Sequence, residues 1–165
     1  MKKLRTHHIV IRDMEPEDAE EKGRIHFMSW IETYTGHFDD NVMKELTLER
    51  SVRAAKLYPE NTLVAVVDGV IKGFSCYIKC RDDDLQDAGE VMALYVLRSH
   101  QGLGLGKRLM EASMERLHGH DTVVVWVLAS NTKARGFYRH MGFVPDGKTK
   151  TVFQKEAVRM VFKSD

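Results

Sequence analysis

A glycine-rich segment is the strongest chemical signal in the sequence, and it reads Gln101-Gly102-Leu103-Gly104-Leu105-Gly106-Lys107. It follows an apolar run typical of a strand, residues 90–97, and precedes a stretch with helical periodicity, residues 104–118. Backbone N–H groups at a helix N-terminus bind anions, and residues without a Cβ let a phosphate approach closely. The segment therefore predicts a phosphate-binding loop.

Three phosphate-binding patterns compete for this segment. A Walker A loop would need glycine at Gln101 and a hydroxyl at Arg108, so it fails at two positions. A dinucleotide fingerprint, Gly-x-Gly-x-x-Gly, fails in both registers. The pattern Gln/Arg-x-x-Gly-x-Gly/Ala is met fully by Gln101, Gly104 and Gly106.

This third pattern resembles the pyrophosphate loop of the GNAT superfamily of acetyl-CoA-dependent N-acetyltransferases. A second stretch resembles that family's N-x-x-A-x-x-F-Y-x-x-x-G-F segment, through Asn131, Ala134, Phe137-Tyr138 and Met141-Gly142-Phe143. The resemblance covers roughly residues 8–162, and it implies direct transfer of an acetyl group from acetyl-CoA to an amine.

The resemblance also implies which residues bind the cofactor. The backbone of Leu94, Tyr95 and Val96 is expected to pair with the pantetheine arm as an additional strand, and an N–H near Val96 to donate to the thioester carbonyl. Asn131 is expected to contact the pantetheine. The pyrophosphate is expected to lie on Gln101, Gly102, Leu103, Gly104, Leu105, Gly106 and Lys107.

Two residues are candidates for the proton transfers. Tyr138 matches the family's tyrosine beside the CoA sulfur, and its phenol would protonate the leaving thiolate. Glu90 lies 11 residues before Gln101, as does the glutamate base of the family's histone acetyltransferases. We expect Glu90 to accept the amine proton directly or through a water, although other members use a different carboxylate or only waters.

The sequence signals that predict the acceptor are weaker than those that predict the cofactor. Trp30, Tyr34 and Gly36 resemble a bacterial subgroup that includes small-amine and polyamine acetyltransferases, so Trp30, Tyr34 and Glu90 are candidate substrate-binding residues. Acidic loops would attract a cationic amine if they line the cleft, and they contain Asp39, Asp40, Asp82, Asp83, Asp84 and Asp87. The alternatives are a protein acetyltransferase acting on N-terminal or lysine amines, or a non-catalytic acyl-CoA-binding sensor module.

Composition excludes several other classes. Lys plus Arg is 25 and Asp plus Glu is 24, so the net charge of +1 argues against a nucleic-acid partner. No membrane-length apolar run and no signal-peptide pattern is present, so we expect a cytoplasmic protein without a membrane partner. Cys76 and Cys80 are expected to be ordinary thiols. The 8 histidines are dispersed, so no metal is expected.

Hydrophobic periodicity places these residues on a single domain, residues 1–165, of the α+β class. A strand, glycine loop, helix and strand in succession indicate a parallel βαβ unit. The resemblance to the GNAT superfamily implies an α/β/α layered fold whose mixed, mostly antiparallel sheet has a central parallel pair, splayed to hold acetyl-CoA. Family members often form homodimers. The predicted strands are residues 8–12, 63–67, 70–78, 90–97, 122–129, 148–153 and 156–162.

Overall fold

The computed structural model describes residues 5–165. Residues 1–4 lie outside the described residues. The predicted domain of residues 1–165 and the signal-peptide prediction both include these four residues. None of the helices in the described part of the chain is long and apolar enough to cross a membrane.

One seven-stranded sheet runs through the described residues in the order β1-β2-β3-β4-β5-β7-β6. The strands are β1 (Ile9–Asp13), β2 (Thr62–Val67), β3 (Val70–Lys79), β4 (Gly89–Val96), β5 (Thr122–Leu128), β6 (Val144–Val152) and β7 (Lys155–Lys163). Strand β6 begins four residues before the predicted start at residue 148, because Val144 and Pro145 pair with Val161 and Met160 ahead of an irregularity in the ladder.

Helices cover both faces of this sheet. They are α1 (Ala19–Tyr34), α2 (Asp40–Met43), α3 (Leu48–Leu57), α4 (Leu105–Arg116) and α5 (Thr132–His140). On one face, Ile25 of α1 and Ala55 of α3 pack with Phe74 of β3. On the other face, Leu105 and Leu109 of α4 pack with strand β2. The three layers and the mixed sheet confirm the predicted α+β fold.

The parallel pair at the centre of the sheet separates soon after it begins. Strands β4 and β5 pair only through Gly89 with Val123 and Glu90 with Val124. Beyond Glu90 the β5-facing edge of β4 has no strand partner, whereas its other edge stays paired with β3 as far as Val96. The divergence leaves a cleft that opens toward the glycine-rich loop.

A β-bulge at Met92 changes the faces that β4 presents. Cys76 pairs with Ala93 and Tyr77 pairs with Val91, so Met92 is the additional residue. Ala93 and Tyr95 pack with the α1 side, and Leu94 packs with the α4 side. Glu90 is in register with Val124, and the side chains that pack around Val124 include none from α4. Glu90 therefore lies on the sheet face opposite α4, which is also the face of Tyr95. Without the bulge, two residues separated by an odd number of positions would lie on opposite faces.

The cysteines and histidines form no special site in the described residues. Cys76 and Cys80 are both free and buried, as ordinary thiols were predicted to be. No group of three histidine, cysteine, aspartate or glutamate side chains in residues 5–165 could hold a metal ion.

Candidate active site

The glycine-rich loop presents unbonded amides at the start of α4. The first α4 amide with an intrahelical bond is that of Arg108, which donates to the Gly104 carbonyl at 3.1 Å. Gly102 and Gly104 have φ angles of 86° and 77°, which favour glycine, and a Cβ at either would meet only open space. The loop can therefore hold a pyrophosphate on backbone N–H groups, and this fits a CoA-type cofactor.

Gln101 fixes this loop to two elements of the fold. Its side-chain nitrogen donates to the Val96 carbonyl at 3.1 Å, and its side-chain oxygen accepts a hydrogen bond from the Lys133 ammonium of α5. Lys107 is exposed and lies 3.8 Å from Glu111 on the next turn of α4. Gln101 thus acts on loop conformation, and Lys133 adds a positive charge that the sequence did not single out.

The remaining predicted cofactor residues line the same cleft. Leu94, Tyr95 and Val96 lie on the part of β4 that has separated from β5. Asn131 caps α5, because its side-chain oxygen accepts a hydrogen bond from the Ala134 amide at 3.1 Å. Its side-chain NH₂ group is left for another partner.

Tyr138 is contributed by α5 and is 9% exposed. Burial raises the pKa of its phenol, and the nearby Tyr34 raises it further, so the hydroxyl stays protonated at neutral pH. No hydrogen bond joins this hydroxyl to another of the described residues. Tyr138 thus retains its proton, as a general acid must, without a competing partner.

Two further phenols approach Tyr138 from the α1 side. The hydroxyls of Tyr34 and Tyr95 are hydrogen-bonded at 3.1 Å, and burial raises the pKa of each. Trp30 packs on Tyr34 with ring centroids 4.7 Å apart, and its indole N–H donates to the Met43 carbonyl at 3.3 Å. Trp30 therefore supports Tyr34, and the phenols of Tyr34, Tyr95 and Tyr138 are the polar groups at this point of the cleft.

Glu90 is buried, at 2% exposed, and pairs with one arginine. The Arg81 guanidinium donates to one Glu90 oxygen at 2.9 Å and to the other at 3.4 Å, and the Arg81 backbone N–H lies 3.4 Å from the second oxygen. No sequence signal predicts this pairing, because Arg81 lies at the start of a loop that is otherwise rich in aspartate.

Two aspartates of the predicted acidic loop are bonded to a buried arginine of β7. Arg159, whose side chain is 4% exposed, contacts Asp84 at 2.7 Å, Asp146 at 2.7 Å and Asp82 at 3.1 Å. Trp126 also donates to Asp82, at 3.0 Å. Asp82 and Asp84 are therefore not free solvated acids, and four carboxylates, including Glu90, surround two guanidinium groups.

The other predicted acidic residues are not brought into this cluster. Asp39 caps α2 by accepting a hydrogen bond from the Val42 amide at 3.0 Å. Asp40, Asp83 and Asp87 are exposed.

Comparison with known proteins identifies the family. The Acetyltransferase (GNAT) family matches residues 15–143 of the chain. A probable N-acetyltransferase of Mycobacterium tuberculosis is 27% identical over 157 residues, which cover 90% of this chain and 87% of that protein. A mycothiol acetyltransferase of Sanguibacter keddieii is 41% identical over 86 residues, 49% of this chain and 27% of that protein.

Solved structures agree on the fold. The PaiA N-acetyltransferase of Thermoplasma acidophilum, solved in complex with coenzyme A, has a TM-score of 0.78 and 21% identity, and the match covers 95% of this chain and 99% of that one. Together with the loop, the splayed strands and the buried tyrosine, the family match identifies an acyltransferase that uses acetyl-CoA. The chain belongs to the GNAT family of acetyltransferases.

Proposed function

We propose that this enzyme transfers the acetyl group of acetyl-CoA directly to a primary amine, and that the acceptor is a small cationic amine such as a polyamine. The observation that carries the transfer is the position of Tyr138. Its unpaired, protonated phenol lies beside the cleft between β4 and β5, which ends at a loop of free backbone amides.

Acetyl-CoA supplies an activated acetyl group as a thioester. The amides of the glycine loop bind its pyrophosphate, and the free edge of β4 at Leu94 and Val96 pairs with the pantetheine. An N–H near Val96 donates to the thioester carbonyl oxygen, where negative charge develops. These contacts orient the carbonyl carbon toward the cleft.

Tyr138 and Glu90 move the two protons. An alkylammonium with a pKa of about 10.4 must lose a proton before it can attack, and Glu90 accepts that proton directly or through a water. The nitrogen lone pair forms the C–N bond while the C–S bond breaks, and the nitrogen then releases its second surplus proton to solvent. Tyr138 then donates its hydroxyl proton to the departing sulfur and is reprotonated from solvent.

The charge around Glu90 supports a cationic acceptor. Four carboxylates, Glu90, Asp82, Asp84 and Asp146, surround the guanidinium groups of two arginines, and Lys148 is a third cation near Asp84, so the carboxylates outnumber these cations by one. A negative excess beside the cleft concentrates amines that carry one or more positive charges. The pairing with Arg159 reduces this attraction without removing it.

The first experiment is thiol release from acetyl-CoA against a panel of amines. Spermine, spermidine, aminoglycosides, amino acids and short peptides would be compared, with acetyl-CoA binding measured by calorimetry. Release with a polyamine is the expected result. Release only with peptides would transfer the proposal to a protein acceptor, binding without release would favour a sensor module, and no binding would contradict the assignment of the glycine loop.

A further inference from the structure

The ion pair between Arg81 and Glu90 has very unequal exposure. The Glu90 side chain is 3% exposed, whereas that of Arg81 is 60% exposed. The guanidinium therefore reaches from solvent to a carboxylate that is otherwise enclosed by the protein.

Glu90 depends on this arginine for its charge balance. Its hydrogen bonds within the described residues all come from Arg81. The neighbouring Arg159 is already engaged by three aspartates. A carboxylate removed from water without a cation loses hydration that nothing replaces, so a cation in contact with Glu90 stabilises it.

We propose that Arg81 is a specificity-determining residue that reserves Glu90 for a cationic acceptor. This inference rests on the proposed function. The ammonium group of the acceptor displaces the Arg81 guanidinium and takes its place, so one cation replaces another. An amine that is uncharged at neutral pH, such as an arylamine, brings no compensating charge and leaves Arg81 in place.

The surroundings of Arg81 allow its side chain to leave while its backbone stays. The next residue, Asp82, is bonded to Arg159 and Trp126, which holds the loop against the sheet. The Arg81 backbone N–H is directed at Glu90 independently of the side chain. The long, exposed side chain can therefore swing into solvent without unfolding the loop.

The exchange places the proton where the reaction needs it. Once the ammonium contacts Glu90, an N–H bond breaks, the proton binds a Glu90 oxygen, and the electron pair stays on nitrogen for attack on the thioester. The other ionisable groups beside the Arg81–Glu90 pair are Cys80 and Asp82, and Arg159 of β7 lies near Cys80. Of these, Asp82 and Arg159 are paired with each other.

The test compares Arg81→Gln with Arg81→Lys and with a control, Arg116→Gln. Arg116 forms an ion pair with Asp13 in which both side chains are exposed, at 43% and 59%. The KM of spermidine, the KM or inhibition constant of an arylamine, and the pH dependence of kcat/KM are measured for each variant, with acetyl-CoA affinity by calorimetry as the check on folding.

Removal of the competing guanidinium should lower the spermidine KM of Arg81→Gln by about fivefold and change the arylamine constant by less than about twofold. Arg81→Lys and Arg116→Gln should remain close to the wild type.

Two results separate this inference from the proposed function. If the wild type acetylates amines and Arg81→Gln leaves the spermidine KM unchanged or raises it, then Arg81 does not reserve Glu90. If Arg81→Gln does not fold, unchanged kinetics in an Arg81→Met variant would overturn the inference in the same way. If the wild type acetylates no amine, the proposed function itself fails.

Discussion

Replacement of Tyr138 by phenylalanine removes one hydroxyl from the centre of the cleft and little else. The ring packs with Met110, Val127 and Phe143 in the core on the α4 side, and phenylalanine preserves those contacts. Because no described residue is hydrogen-bonded to the hydroxyl, its removal leaves no buried partner unsatisfied. The unfolding free energy should therefore change by less than about 1 kcal/mol.

The expected loss of activity follows from the proposed role of Tyr138 as the general acid. General acid catalysis contributes roughly 10²–10⁴-fold, or about 2.7–5.4 kcal/mol of barrier. A thiol with a pKa of about 8.5 is already a fair leaving group as its thiolate, so the lower end applies. We expect kcat to fall about 100-fold, by about 2.7 kcal/mol, with little change in acetyl-CoA affinity.

Steady-state thiol release from about pH 6 to 9 measures this effect. Burial keeps the pKa of Tyr138 above its usual range, so its hydroxyl stays protonated over this pH range. The ratio of wild-type to variant kcat should therefore not fall at alkaline pH, as it would if the Tyr138 hydroxyl ionised. Tyr77→Phe is the matched control, because Tyr77 packs against the same core cluster. A Tyr138→Phe enzyme that retains kcat within about threefold of the wild type would refute the assignment of Tyr138 as the acid.

Three further predictions concern the loop, the helix packing and the arginine network. Gly104→Val forces a left-handed φ of 77° on a branched residue, so acetyl-CoA affinity measured by calorimetry should fall at least about tenfold. An unchanged affinity would mean that the loop does not bind the cofactor. Gly23→Ala places a Cβ 2.5 Å from the α3 backbone, so it should destabilise the fold by about 1–3 kcal/mol in a denaturant titration, whereas Gly136→Ala meets open space and should not. Hydrogen bonds from Arg159 lower the pKa of Asp84 to about 2, so this carboxylate stabilises the fold fully above pH 3.8 and loses its effect as the pH falls toward 2. The gap in melting temperature between the wild type and Arg159→Gln should close over that range, and a gap independent of pH would contradict the ionic role.

Local sequence signals predicted the fold well because each had a local physical cause. The Asp68-Gly69 turn joins β2 and β3 as a hairpin, with both residues at positive φ. Asn131 begins α5 as a cap, as its side chain and position indicated. Gly104 precedes the first residue of α4, so the sequence located the start of this helix to within one residue.

The face that each β4 residue presents was not predictable from the sequence. Strict alternation would place Glu90 with Leu94 and Val96, and opposite Tyr95. The bulge at Met92 reverses this, because the strand gains one residue relative to β3. Nothing in the apolar run itself marks Met92 as the additional residue, since the neighbouring side chains are all apolar or aromatic.

The electrostatic surroundings of Glu90 were also hidden, for a related reason. Arg159 is separated from Asp82 and Asp84 by 77 and 75 residues, and it reads in the sequence as the polar member of a terminal strand. Only the order of strands brings β7 beside β5 and lets a buried guanidinium reach the loop before β4.

This arrangement changes what the acidic loop can do for an acceptor. Because Asp82 and Asp84 are bonded to Arg159, they mainly hold the loop in place and attract a cationic acceptor less strongly than free carboxylates would. Glu90, by contrast, is paired with an arginine that solvent can reach. In the proposed reaction, selectivity for charged amines therefore depends less on the number of aspartates near the cleft than on how readily Arg81 releases the Glu90 carboxylate.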